Sequence, residues 1–316
     1  MGAFVGRCVF LIEFQNVTFT YQSTERESGV YNLNFTIPDG QVVLLCGESG
    51  CGKTTLTRLI NGLAPEYYYG QLSGEVLING KNTAKTPLYE LSKIVGSVFQ
   101  NPRSQFFTVD TTGEIAFGCE NIGLPKEEIY KRIGQVSGEL KIHKLLDRSL
   151  FALSGGEKQK IACASVSAME PEIIVLDEPS SNLDVATIAD LREVVAKWKA
   201  MGKTIIVAEH RLYYLMGVAD RVVYLKEGRI AKDVSAVDFG NLSEAQLQKM
   251  GLRSLHPTFT SEIPVTPMND ETISLTDFRF SYGRNETINI PQLSIPRGAI
   301  VGVLGDNGAG KTTFAK

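Results

Sequence analysis

A chain of 316 residues, 43% hydrophobic and 21% charged, can fill two ordinary domains with cores of their own, and its 30 glycines fit a globular chain with many tight turns rather than a disordered or collagen-like one. The 32 basic and 35 acidic side chains leave a formal charge of -3, which gives no broad basic field for nucleic acid or anionic lipid. Five cysteines (Cys8, Cys46, Cys51, Cys119 and Cys163) lack metal-ligand spacing and fit a reducing, cytosolic compartment, and no apolar run approaches the ~20 residues that cross a bilayer.

In chain order, segments 11–20, 31–37 and 74–79 alternate apolar and polar residues and are joined by turns, which predicts an antiparallel side sheet. Short apolar runs at 42–46, 173–177, 204–208 and 221–225 alternate with helical stretches at 53–61, 155–169 and 185–200, the pattern of a mostly parallel α/β sheet. The first domain is expected to span 1–235. A linker follows over 236–272, with a short helix at 242–250 and then Pro257, Pro264 and Pro267. Residues 273–316 repeat the beginning of the chain: ISLTDFRFSY…GDNGAGKTT answers IEFQNVTFTY…GESGCGKTT. The second copy is expected to be incomplete and the chain a fragment of a longer protein, because a phosphate-binding strand without sheet neighbours leaves backbone groups unpaired.

Gly47-Glu48-Ser49-Gly50-Cys51-Gly52-Lys53-Thr54 lies between the apolar strand VVLL and a helix start. That context predicts a phosphate loop. Backbone amides wrap the phosphates with Gly47, Ser49, Gly50 and Gly52 giving tight geometry, Lys53 neutralises charge, and Thr54 with Thr55 opens the helix, the Thr54 hydroxyl facing Mg²⁺. Gly305, Asn307, Gly308, Gly310, Lys311, Thr312 and Thr313 form the second loop, with Thr312 in the place of Thr54. The strand IIVLD ends in two carboxylates: Asp177 is suited to hold Mg²⁺ and Glu178 to polarise a water beside the γ-phosphate of ATP. Ser154, Gly155 and Gly156 stand at the start of a helix, with Ser154 at the cap and amides exposed at its positive end, a second anion site.

LSGGEKQ, together with two GxxxxGKT loops and IIVLDEP, resembles the ATPase domains of ABC transporters. The resemblance covers about residues 10–235 fully and 273–316 in part. It implies an α/β P-loop ATPase domain with an antiparallel side sheet and a helical subdomain, followed by the start of a second copy. It also implies that two such domains close head to tail on two ATP molecules, so that Ser154 and Gly156 serve the other domain's site, opposite Lys311 and Thr312. By the same resemblance Tyr21, and Tyr282 in the second copy, stack on adenine, Gln100 reaches Mg²⁺ and the attacking water, Asp184 addresses the opposite phosphate loop, and His210 contacts the γ-phosphate.

Gln100-Asn101-Pro102-Arg103-Ser104-Gln105-Phe106-Phe107 and Glu209-His210-Arg211-Leu212 look like the ATPase subunits of energy-coupling factor importers, which serve cobalt and vitamin uptake. The implied function is a Mg²⁺-dependent ATPase at the cytoplasmic face of the membrane. Its implied partners are an integral-membrane scaffold subunit, a substrate-capture subunit and a second nucleotide-binding domain, with no nucleic acid. Gln105 and its aromatic neighbours would meet the scaffold, and Arg103 would pair with an acid there. An exporter ATPase, or a soluble relative acting on the ribosome or DNA, is the alternative.

Overall fold

The computed structural model describes residues 10–22, 28–181, 183–256, 271–282, 285–305 and 309–316; at 10, 285 and 286 only the backbone is described. Cys8, Asn182, Pro257, Pro264, Pro267, Asn307 and Gly308 lie outside the described residues. The chain divides into two compact units, Met1–His256 and Pro257–Lys316.

The first unit begins with β1 (Phe10–Tyr21), β2 (Gly29–Pro38), β3 (Val42–Cys46), α1 (Lys53–Ile60), the single turn α2 (Leu63–Glu66), β4 (Gly70–Ile78) and β5 (Lys81–Asn82). It continues through α3 (Leu88–Leu91), β6 (Val95–Val98), α4 (Thr111–Asn121), α5 (Lys126–Glu139), α6 (Gly155–Ala168), β7 (Ile173–Asp177) and α7 (Val185–Ala200). It closes with β8 (Thr204–Ala208), β9 (Arg221–Lys226), β10 (Arg229–Ser235), α8 (Ala236–Gly240) and α9 (Glu244–Lys249).

These strands form two sheets. An antiparallel one runs β2-β1-β4-β5, and a six-stranded one runs β10-β9-β3-β8-β7-β6, parallel except for β10. Apart from its edge strand β10, the larger sheet is buried on both faces, and the period of two explains how. In β3, Val42, Leu44 and Cys46 enter one core with the helices, whereas Val43 and Leu45 enter a second core with β1, β2 and α1. Ile174 and Leu176 of β7, and Ile205 and Val207 of β8, join the helical core, while their neighbours join the other. Strand ends are thereby fixed between two packed layers, and the loops that leave them are held in place. The expected helical subdomain is α4 and α5, seated on α6 through Ile115, Cys119, Ile129 and Ile133.

The first unit extends past the boundary expected at 235. Phe239 of α8 and Leu247 of α9 are fully buried, Met250 and Leu255 join the helical core, and the Tyr224 hydroxyl donates to the Met250 carbonyl at 3.0 Å. Ser243 and Gln246 make a capping box at the start of α9. Residues 236–256 are therefore part of the first compact unit, because their few apolar side chains insert into its core.

The second unit pairs β11 (Thr272–Tyr282) with β12 (Asn285–Pro296) as an antiparallel hairpin and ends in α10 (Lys311–Ala315). The apolar run at 300–304, which leads into the second phosphate loop, forms no strand, and Ile300 and Leu304 are exposed. Its counterpart β3 is paired on both sides, by β8 and β9, which come from much later in the sequence.

Candidate nucleotide site

The turn between β3 and α1 is shaped by glycine. Gly47 sits at φ +147°, and a Cβ there would lie 2.3 Å from the Leu225 carbonyl oxygen; Gly52 caps α1 at φ +107°. The turn wraps around Lys53, which is 4% exposed and donates from Nζ to the carbonyls of Gly47 at 3.0 Å and Glu48 at 3.1 Å. The second unit reproduces this: Gly305 has φ +152°, Gly310 caps α10 at φ +90°, and Lys311 Nζ donates to the Gly305 carbonyl at 2.7 Å. Phe19 meets Tyr21 edge to face at 4.9 Å, and Phe280 meets Tyr282 in the same way at 5.0 Å. The duplication seen in sequence is thus repeated in local geometry.

A cleft of about 310 Å³ brings together Tyr21, Gly50, Lys53, Thr54, Thr55 and Glu178. At its floor Thr54 Oγ1 donates to Asp177 Oδ1 at 3.0 Å. Glu178 has a left-handed backbone, φ +45°, with its N–H held by the Ala208 carbonyl at 2.8 Å. Its carboxylate accepts from Gln100 Nε2 at 2.9 Å and faces His210 Nε2 at 3.1 Å. Strands β6, β7 and β8 therefore each deliver one member of the trio from the same end of the sheet. Gln100 and His210, expected at Mg²⁺ and the γ-phosphate, here meet on Glu178. Ser49 is exposed on the turn.

The sequence did not single out Arg58. It donates to the Tyr21 hydroxyl at 3.0 Å, and its guanidinium carbon lies 3.6 Å from the Tyr68 ring centre; the Tyr21 hydroxyl also meets Thr55 Oγ1 at 3.1 Å. Helix α1, which carries the phosphate loop's lysine, is thereby tied to the end of β1. No local motif signals this, since the contact joins residues 37 apart.

Ser154 and Glu157 form a capping box at α6, and Glu157 is held below the usual carboxylate range by that backbone bond. Ser154, Gly155 and Gly156 do not line the Lys53 cleft. Gly155 instead borders a separate cleft of about 330 Å³ with Gln100, Arg103, Lys158, Gln159 and Leu183. Gly156 is buried against Thr187, where a Cβ would come within 2.7 Å of Oγ1. Asp184 caps α7 by accepting from the Thr187 N–H at 2.9 Å. Two expectations for 100–107 change. The turn at Pro102–Ser104 sends Arg103 to this second cleft, and Phe106 packs against the helical core. Phe107 is the exposed aromatic, stacked on Phe117 at 5.0 Å, and with Gln105 it lines an apolar groove of about 430 Å³ beside Tyr89, Phe99 and Met169.

Burial pushes the Asp177 carboxyl up, against the Thr54 hydrogen bond that pulls it down. A folded value above the unfolded one means that the stability it contributes is present at acid pH and is lost as pH rises through the folded value. At neutral pH the buried charge therefore costs stability. Asp177→Asn is expected to raise the melting temperature of the nucleotide-free chain at pH 7.5, by roughly 2–4 °C per kcal/mol relieved. Melts repeated toward pH ~4 should show the gain vanish. The same carboxylate beside a threonine hydroxyl fits a divalent cation that takes its remaining ligands from phosphate and water; among the described residues no group of three or more His, Cys, Asp or Glu side chains could hold a metal by itself.

A glycine-shaped phosphate loop on a parallel sheet, with a side sheet and a helical subdomain, defines the P-loop ATPase fold of ATP-binding cassettes. The sequence profile of the ABC transporter family matches residues 30–181. A Pyrococcus horikoshii protein named as an ABC transporter ATP-binding protein is 38% identical over 77% of this chain and 89% of its own. The chain belongs to the family of ABC transporter ATP-binding proteins. A Treponema denticola protein with the same description is 47% identical over 97% of the chain, which spans 64% of that relative's length. Among solved structures, cbiO1 of Clostridium perfringens, described as part of the ABC transporter complex cbiONQ, superposes with a TM-score of 0.65 at 27% identity, over 76% of this chain and 93% of its own. The dimeric cassette MJ0796 bound to ADP and Pi superposes at 0.63 with 26% identity, over 71% of this chain and 98% of its own.

Proposed function

We propose that the chain binds ATP with Mg²⁺ and hydrolyses it to drive an ABC importer of the energy-coupling factor type from the cytoplasmic face of the membrane. The observation that carries this is the trio Gln100, Glu178 and His210 beside Lys53, Thr54 and Asp177. Lys53 and the loop amides hold the β- and γ-phosphates. Glu178, oriented by Gln100 and His210, accepts the proton of a water that attacks the γ-phosphorus in line, and ADP leaves. Mg²⁺, held by Thr54 and Asp177, supplies charge neutralisation at the phosphates when bound. Tyr21, steadied by Arg58, stacks on the base.

Ser154, Gly155 and Gly156, at an α6 N-terminus outside the Lys53 cleft, complete the site of a second nucleotide-binding domain, and Asp184 lies along that contact. The second unit, with its own lysine clasp and its Phe280–Tyr282 pair, is the beginning of such a domain. The apolar groove at Phe107 supports a membrane-scaffold partner, which works with a substrate-capture subunit. The likeness to cbiO1, described as part of an ABC transporter complex, supports work within a transporter assembly. Among the described residues no helix is long and apolar enough to cross a membrane.

The test is Mg²⁺-dependent ATP turnover by the full-length product purified with its membrane proteins. Turnover accompanied by a scaffold and a small ligand-binding membrane protein is the expected result; stimulation by DNA or ribosomes instead would overturn the importer reading. Phe107→Glu is expected to release the scaffold at least about tenfold more readily, a loss of ~1.4 kcal/mol, while turnover by the isolated chain holds. Co-purification yields check it.

A further inference from the structure

Glu209 directly follows β8 and is 2% exposed, yet its carboxylate carries four hydrogen bonds. Oε1 accepts from the Ser180 N–H at 3.1 Å and the Tyr214 hydroxyl at 3.0 Å. Oε2 accepts from the N–H groups of His210 at 2.7 Å and Arg211 at 3.2 Å. Arg211 in turn reaches the carbonyls of Ser180 and Leu183, each at 3.4 Å. One buried side chain thus joins the turn after Glu178 to the turn that bears His210, whose imidazole faces Glu178 at 3.1 Å.

A carboxylate suits this position because it offers two oxygens and no donor. Glutamine has the same size, but its NH₂ would face either the two N–H donors of His210 and Arg211 or the Ser180 N–H beside the Tyr214 hydroxyl, which alone can turn to accept, so at least one of the four bonds is lost whichever way the amide turns. Burying a charge is a poor route to stability alone, since an apolar residue of equal volume often does as well. What the carboxylate secures is the relative placement of two main-chain segments. We infer that Glu209 is a positioning residue for hydrolysis: it acts through His210, fixing the imidazole against Glu178, and leaves nucleotide binding to the phosphate loop. This rests on the ATPase reading above.

The experiment measures Mg²⁺-ATP kinetics and thermal melting of the full-length chain for wild type, Glu209→Gln, Tyr214→Phe, His210→Ala and the two doubles with His210→Ala. Glu209→Gln is expected to lower kcat at least about 30-fold with KM for ATP changed less than about threefold, since small misplacements at a reacting centre cost rates of this order. Tyr214→Phe, which removes one donor of the four, is expected to lower kcat about three- to tenfold without disrupting the fold. In the His210→Ala background neither change should lower the rate by more than about twofold. Equal losses in both backgrounds would show a structural role and overturn the inference. So would unchanged kcat in Tyr214→Phe, which decides the matter alone should Glu209→Gln not fold. A wild-type chain that binds ATP without turning it over overturns the ATPase reading and this inference together, whereas wild-type turnover that neither variant alters overturns the inference only.

Discussion

Glu178→Gln is expected to cut ATP turnover by about 10²–10⁴-fold, the range for removing a general base, while ATP affinity changes less than about threefold. The substitution preserves volume and leaves one oxygen to accept from Gln100 Nε2. The backbone, at φ +45° and pinned to Ala208, has no reason to move. What is lost is the only group in the trio able to take a proton from water while facing two others that orient it. Steady-state hydrolysis paired with equilibrium binding of a fluorescent nucleotide checks both halves. Turnover near the wild-type rate would remove Glu178 from the reaction, and lost binding would mean that the turn itself had collapsed.

Phe239→Ala is expected to destabilise the first unit by about 3–5 kcal/mol, as large-to-small changes at buried aromatics do. Phe239 is 0% exposed within the helical core. Denaturant unfolding should show a lower midpoint with an unchanged slope, because the same surface is exposed on unfolding. A change below ~1 kcal/mol, typical of a surface site, would return 236–256 to the status of a connector and restore the boundary at 235.

The features legible in sequence were those written in contiguous residues. Gly47–Thr54, IIVLDE and LSGGEKQ each carry their geometry locally: a turn that needs positive φ, a strand end, a helix cap. Strands β3, β7, β8 and β9 could be read because a sheet buried on both faces leaves unbroken apolar runs. Contacts between distant residues left no such trace. Arg58 meets Tyr21 only once the side sheet folds over α1, and the donors around Glu209 come from two separate turns. Alternation could not decide between Phe106 and Phe107, because the Pro102–Ser104 turn resets which side faces the core. The short helix expected at 242–250 is α9, but the prolines from 257 onward suggested a connector around it, and α8, at five residues, is too short for its apolar residues to form a periodic pattern.

Lys53 donates to the carbonyls of its own loop at 3.0 and 3.1 Å while almost wholly removed from water, and Lys311 makes the same bond to Gly305. An ammonium in that position has already shed most of its hydration during folding. An arriving phosphate oxygen therefore exchanges with a peptide oxygen instead of stripping solvent from a free cation. Capture becomes a trade between two oxygens of similar reach, so the lysine's arm needs little reorganisation in either direction. In the proposed ATPase cycle, which takes up a triphosphate and releases a diphosphate, such a grip is easily reversed.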